Sequence, residues 1–312
     1  MKPAIQYGVL ELATGLIITA LLAAPAYAQS APGGALQMNL QAKPISFAAL
    51  AATQQVPGQR NMALDGPGPI FAATTTNLFA QVAFGQGYTT VFSFLNTGAT
   101  ATTGNLILTD NNGHALNASF SSPGLPSAAG SSFALSVPSG GSQVVIADAL
   151  SPATDPISVG WGRVESSGGT LGGVATFQFS IGGVLSTIVG VLSATATNLA
   201  TIPVDDDHSQ NRDTGYAIAN PGTTPMNIKI VLVHPDGTIH QTLFPPALNP
   251  LPPGGHVATF IWQDLNDQFL LFRGSMVMIE QASLPFSVVA LVLNQGLFTA
   301  IPVLPAAAPG IR

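Results

Sequence analysis

The chain spells out nearly the same order of landmarks twice, and this constrains its fold more than any other feature. Leu199-Ala200-Thr201-Ile202-Pro203-Val204 is echoed by Phe298-Thr299-Ala300-Ile301-Pro302-Val303. Gly87-Tyr88 leading to Asn96-Thr97-Gly98 is answered by Gly215-Tyr216 leading to Asn220-Pro221-Gly222. Asp110-Asn111-Asn112-Gly113 is answered by Pro235-Asp236-Gly237, Ser139-Gly140-Gly141 by Pro253-Gly254-Gly255, and Val164-Glu165 by Ile279-Glu280. A unit of roughly a hundred residues repeated once is a duplicated domain, not a short solenoid repeat.

Within each repeat the apolar residues alternate. Phe92 and Phe94 flank Ser93, Leu106 and Leu108 flank Ile107, and Phe133, Leu135 and Val137 alternate with Ala134 and Ser136. The second repeat has Ile228, Ile230 and Leu232, then Met276 and Met278, then Phe286, Val288, Ala290 and Val292. Short period-two runs with Asn-Gly, Asp-Gly and Gly-Gly turns between them predict an all-β sandwich, because these residues accept the positive φ that tight turns demand. Residues 258–271, with Trp262, Asp264 and Asp267 among apolar neighbours, predict a short helical turn. The first repeat is longer by about thirty residues. Its excess falls in the Pro/Gly/Ser-rich residues 119–132 and in 181–197, which predicts an added strand or extended edge.

The N-terminus reads as a secretion signal. Lys2 precedes the apolar run from Leu16 to Ala24, Pro25 breaks it, and Ala26-Tyr27-Ala28 supplies small residues for cleavage. The run is shorter than the ~20 residues of a spanning helix. Zero cysteines exclude a lipid-modified cysteine and disulfides, which fits a bacterial exported protein stabilised by its cores alone. Residues 29–75 are punctuated by Pro32-Gly33-Gly34, Pro57-Gly58 and Gly66-Pro67-Gly68-Pro69 and predict a flexible linker, with 47–53 apolar enough to dock. The expected organisation is therefore a signal peptide (1–28), a linker (29–75), repeat one (76–204), repeat two (205–304) and a tail (305–312).

The charge content narrows function. Only 7% of residues are charged, against about 25% in an average domain. The net charge is −6, with three lysines (Lys2, Lys43 and Lys229) in the whole chain, which excludes a nucleic-acid binder. An outer-membrane barrel is set aside too, since aromatics are only 7% and prolines interrupt the strands.

The segment from Tyr88-Thr89-Thr90 to Asn96, the Asp236-Gly237 hairpin and Pro252-Pro253-Gly254-Gly255-His256 carry a resemblance. So do Phe272-Arg273-Gly274, Ser283-Leu284-Pro285 and Ile301-Pro302-Val303. Over about residues 78–304 the chain resembles uncharacterised secreted bacterial proteins with tandem immunoglobulin-like or fibronectin-like β-sandwich repeats. The resemblance implies two tandem sandwiches outside the cell or at its surface, and it brings no activity with it.

Candidate chemistry is sparse. Asp205, Asp206 and Asp207, followed by His208, Asn211 and Asp213, are a candidate calcium site at the junction of the repeats, because calcium takes six to eight oxygen ligands. Asp213-Thr214-Gly215 matches the aspartic-protease triplet but occurs once and follows a polar segment, so a loop entering a strand explains it better. His234 and His240 flank the Pro-Asp-Gly hairpin and face each other across two strands, without an evident third metal ligand. His114, His208 and His256 read as surface, edge or turn residues. Trp161 and Trp262 are either sandwich-core residues or sugar-stacking platforms. No nucleophile elbow, His-Glu-x-x-His pair or phosphate loop is present. The expectation is an exported, non-enzymatic structural or adhesive protein with an extracellular protein or glycan partner. A carbohydrate-binding module is the alternative, and a hydrolase with a split active site the third reading.

Overall fold

The computed structural model describes residues 74–305 apart from 153–154, 168–170 and 268–269. The expected signal peptide, the expected linker up to residue 73 with its docking segment and the tail beyond Pro305 lie outside the described residues, and β1 opens at Thr74, two residues inside the expected linker.

Ten strands come first: β1 (Thr74–Phe84), β2 (Tyr88–Asn96), β3 (Thr102–Asp110), β4 (Ala118–Ser122), β5 (Leu125–Gly130), β6 (Ser132–Val137), β7 (Ser142–Asp148), β8 (Ser158–Ser167), β9 (Leu171–Ile181) and β10 (Val184–Leu192). They form two antiparallel sheets, ordered β1-β8-β3-β6 and β10-β9-β2-β7-β4-β5. Period-two alternation turns Phe92 and Phe94 inward from β2 and Leu106 and Leu108 inward from β3, where all four are buried. Phe79 meets Phe92 and Phe94 edge-on at 5.2 and 6.1 Å between ring centres, so this core is largely aromatic.

The second series comprises β11 (Leu199–Asp207), β12 (Arg212–Ala219), β13 (Ile228–Val233), β14 (Ile239–Leu243), β15 (His256–Phe260), the helical turn α1 (Ile261–Leu265), β16 (Leu271–Glu280), β17 (Ser287–Asn294), β18 (Leu297–Ile301) and the short β19 (Leu304–Pro305). Its pairing repeats the first, except that β11 also meets β12 at Asp207 and Arg212, which joins the two halves into one nine-stranded sheet. β11-β16-β13-β14 matches β1-β8-β3-β6, and β18-β17-β12-β15 matches β10-β9-β2-β7. The β4–β5 hairpin has no counterpart and occupies the expected insertion at 119–132, whereas β10, in the segment 181–197 expected to be extra, is matched by β18 and is not an addition. The boundary expected between Val204 and Asp205 falls inside β11, which pairs along its whole length with β16. By pairing, the second set begins at Leu199. The Ile-Pro-Val echo is therefore one strand out of phase: it lies in β11, the counterpart of β1, and at the end of β18, the counterpart of β10.

The turn landmarks are in phase down to single atoms. Asn96 Oδ1 accepts from Gly98 N at 2.9 Å, and Asn220 Oδ1 accepts from Gly222 N at 2.9 Å. Each Asn amide donates four residues on, to Thr100 O at 2.8 Å and Thr224 O at 2.9 Å. Each Asn N–H donates to the second glycine of the Gly-Gly turn, Gly141 O at 3.0 Å and Gly255 O at 2.9 Å. Gly140 and Gly254 sit at φ 64° and 68°, a region a side chain rarely enters.

The two sets share a core. Ala217, Ala219 and Val289 of the second are buried in the same cluster as Phe79, Phe92 and Trp161 of the first. The opposite face of β12 and β17 (Tyr216, Ile218, Val288, Ala290) packs into the second set's own core of Ile202, Ile230, Met276 and Met278. The sheet with β12 and β17 is thus covered on both sides, and the described residues form one compact unit. At the junction Trp161 Nε1 donates to Gly254 O at 2.8 Å, and His256 Nδ1 pairs with Asn111 Oδ1 at 2.8 Å. Gly113 and Gly254 touch there, and a Cβ on Gly113 would stand 2.4 Å from Pro253 O.

Candidate functional site

Ionisable side chains concentrate where β11 turns into β12. Alternation along β11 sends Asp206 inward, fully buried, and leaves Asp205 and Asp207 on the opposite face. Asp206 Oδ1 accepts from Thr214 N at 2.7 Å, while its Oδ2 is buried without a hydrogen-bond partner. Burial pushes this carboxyl up to about 7, against the pull of the Thr214 amide, and Asp213 nearby adds to the rise. Asp213, also buried, shares a 2.7 Å hydrogen bond with His208 Nδ1; burial raises its pKa and the histidine opposes the rise. The His208 ring stacks on Trp262, with centres 4.2 Å apart. Two residues beyond, Asp264 accepts from the buried Tyr216 hydroxyl, and burial raises Asp264 to about 6.

This arrangement divides the candidate calcium ligands. Asp205 is held by Arg273 at 2.9 Å and Arg212 at 3.3 Å, and Asp207 lies 3.8 Å from Arg212, so two of the three carboxylates face guanidinium groups. Asp206 points the other way. Among the described residues no group of three or more His, Asp or Glu side chains is placed to hold a metal ion. Nor do Asp213 and His208 acquire a nucleophile from the neighbouring hydroxyls. Ser209 Oγ donates to Asp207 at 2.7 Å, and Thr214 Oγ1 pairs with the Asp205 backbone at 3.3 Å. Asp213-Thr214-Gly215 lies within β12, paired with β17, and not in a loop leading into the strand.

The remaining candidates fall into place individually. Trp161 is buried at the junction, and Trp262 is half-buried with one face covered by His208. Tyr88 stacks on Phe179 at 4.4 Å, and Tyr216 is buried. None of the Trp and Tyr rings among the described residues forms an exposed flat strip for a sugar. His114 is exposed, 3.6 Å from Asp110. His256 is buried, and burial lowers it to about 4. His234 and His240 do face each other, at 3.2 Å between Nε2 and Nδ1.

One extended surface has a uniform character. On the outer face of the larger sheet of the first set, pairing aligns Leu192-Val174-Ser93-Val144 in one row, Gly190-Thr176-Val91-Ile146 in the next and Ile188-Gln178-Thr89 in a third. None of these residues is ionisable. The edge strand β10 exposes Val184 at 71%, Ile188 at 48% and Leu192 at 73%, whereas Thr187, Val189 and Val191 face inward. Beside its far end lies a groove of about 600 Å³ between β10 and the β17–β18 pair, lined by residues such as Val191, Thr195, Val288 and Ile301 and by no ionisable side chain. Sequence alone does not reveal this face, because only the register shows which alternate residues form a row.

Comparison with protein-family models, curated proteins and solved structures finds no match to this chain. Among the described residues no helix is long and apolar enough to cross a membrane.

Proposed function

We propose that this chain is an exported, non-enzymatic structural or adhesive protein. It acts outside the cell, at the cell surface or in the periplasm, as two tandem immunoglobulin-like sandwiches offering a preformed contact surface to a protein partner. The observation that carries this reading is the set of outer-face rows running from Val144 and Ile146 through β2 and β9 to the apolar edge strand β10, none of whose residues is ionisable. Exposed contiguous aliphatic surface mixed with hydroxyls suits macromolecular contact, because its desolvation costs little and an unpaired edge can accept a further strand. The engagement of the Ser209 and Thr214 hydroxyls by Asp207 and by the Asp205 backbone supports the non-enzymatic side. The covered tryptophans favour a protein partner over a glycan.

The strand order supports the sandwich assignment with one difference. β2 beside β7 and β3 beside β8 occupy the immunoglobulin positions B, E, C and F. β1 lies where the last strand normally flanks F, and β9 where the first normally flanks B.

The test is binding of fluorescently labelled protein to cells and envelope fractions of a producing bacterium, alongside fractionation of the native chain. Wild type is expected to be exported and to bind saturably, and the double variant Ile188→Lys with Leu192→Lys is expected to lose binding while remaining folded. Retention of the native chain in the cytoplasm would contradict the reading. So would peptide or glycan hydrolysis that depends on Asp213 and His208.

A further inference from the structure

The hairpin joining β13 to β14 carries a feature that the contact function does not use. Pro235-Asp236-Gly237 forms its tip, closed by His234 N donating to Thr238 O at 2.8 Å and Gly237 N donating to His234 O at 2.9 Å. Asp236 Oδ1 accepts from both the Thr238 amide and its hydroxyl, at 2.9 and 2.6 Å, which fixes the turn from inside. Val233 then pairs with Ile239 and Leu232 with Gln241, so His240 is an extra residue that the ladder skips. A bulge of this kind re-aims a side chain. Here it brings His240 onto the same side as His234, and both rings lean on Phe272, at 5.0 and 5.5 Å between centres. Phe272 is buried, so the two imidazoles rest on a fixed floor.

We infer that His234 and His240 form a two-histidine chelate for a divalent transition metal such as zinc, nickel or copper. Imidazole suits these metals, whereas calcium and magnesium require oxygen ligands. Zinc–nitrogen bonds are about 2.0–2.1 Å, so nitrogens 3.2 Å apart subtend about 99–106° at the metal, close to a tetrahedral angle. The donor atoms are His234 Nε2 and His240 Nδ1. The ring protons then occupy His234 Nδ1 and His240 Nε2, so neutral histidines bind without net loss of a proton, and protonated ones release theirs. Solvent or an external donor fills the other coordination positions. This site is separate from the Asp205–Asp207 run and from the β10 face.

The experiment is calorimetric titration of the untagged full chain with zinc chloride and with calcium chloride, in wild type, His234→Gln, His240→Gln and the double variant. Saturable zinc binding with one site per chain is expected, with no calcium response. Each single variant is expected to weaken binding by more than the about tenfold that loss of an outer-shell partner brings, and the double variant to abolish it. Both side chains lie at the surface, so unchanged melting temperatures without metal are expected and separate loss of a ligand from loss of fold. Absence of zinc binding, or binding that survives in the double variant, would overturn the inference.

Discussion

The two sets of strands build the same turns from the same atoms, yet fill their interiors differently. Around Asn96 and Asn220 the hydrogen bonds correspond, save that the Asn220 amide also donates to Pro252 O. In the first set the largest buried side chains are Trp161, Phe79, Phe92, Phe94 and Phe120, and none of its buried polar residues is ionisable. The second packs Ile, Leu and Met around Tyr216, Phe272 and Phe286 and buries Asp206, Asp213, His256 and Glu280. The pairing scheme therefore depends on turn geometry and alternation, which both sets keep, while core composition was free to diverge. The second set's dependence on pH is one consequence.

The largest expected effect tests the buried tryptophan of the first set against the half-buried one of the second. Trp161→Ala should cost about 3–5 kcal/mol by loss of a large buried ring, and it also removes the hydrogen bond to Gly254. Trp262→Ala, at a half-buried position, should cost clearly less. Chemical denaturation of both variants checks the order, and equal losses would break the contrast.

The equivalence of the turns can be tested next. Asn96→Ala and Asn220→Ala each strip an amide from carbonyl acceptors, Thr100 O and Val137 O in one case and Thr224 O, Leu251 O and Pro252 O in the other. Each should cost about 2–3 kcal/mol, since buried acceptors lose their donors. Costs differing by more than about 2 kcal/mol would deny that the two asparagines do one job.

A smaller effect sharpens the difference in buried charge. Asp206 has its pKa raised from 3.8 to about 7 by burial, so the folded state favours its protonated form. The stability this contributes is complete below pH 3.8 and is lost as pH rises through about 7. His256 opposes it: its pKa is lowered from 6.5 to about 4, so its contribution is complete above 6.5 and is lost as pH falls through about 4. Asp206→Asn keeps an oxygen for Thr214 N and removes the buried charge. It should raise stability at pH 8 and leave it nearly unchanged at pH 4. Melting curves at the two pH values check this, and a loss at pH 8 would contradict it.

Much of this fold was legible in the sequence because turns and alternation are local. The all-β class, the helical turn at Ile261–Leu265, the extra segment at 119–132 and the burial of Trp161 all follow from neighbouring residues. The boundary between the sets did not, because the Ile-Pro-Val echo joins strands of different rank and only long-range pairing ranks them. The pairing of His208 with Asp213 was hidden for another reason. It depends on Asn211 adopting φ 52° after the short 3-10 turn at His208–Gln210, which reverses the chain tightly enough to bring residues five apart together. Sequence spacing placed His234 opposite His240, but the bulge that sets their distance is a property of the ladder. The β10 face combines residues from four strands, so no window of sequence contains it.

Whether the two sets are one body is the claim on which the rigid contact surface rests, and each set holds one tryptophan to report on it. Trp161→Phe leaves Trp262 as the only described tryptophan, in the second set, and Trp262→Phe leaves Trp161 in the first. Equilibrium unfolding in denaturant should be followed by the emission of each variant and by circular dichroism. Coincidence of the emission and circular-dichroism transitions within each variant is expected, because Ala217, Ala219 and Val289 belong to the core of the first set. If the transition of one set is complete before the other begins, with a plateau between them in circular dichroism, the shared core would be contradicted and the molecule would be two independent sandwiches.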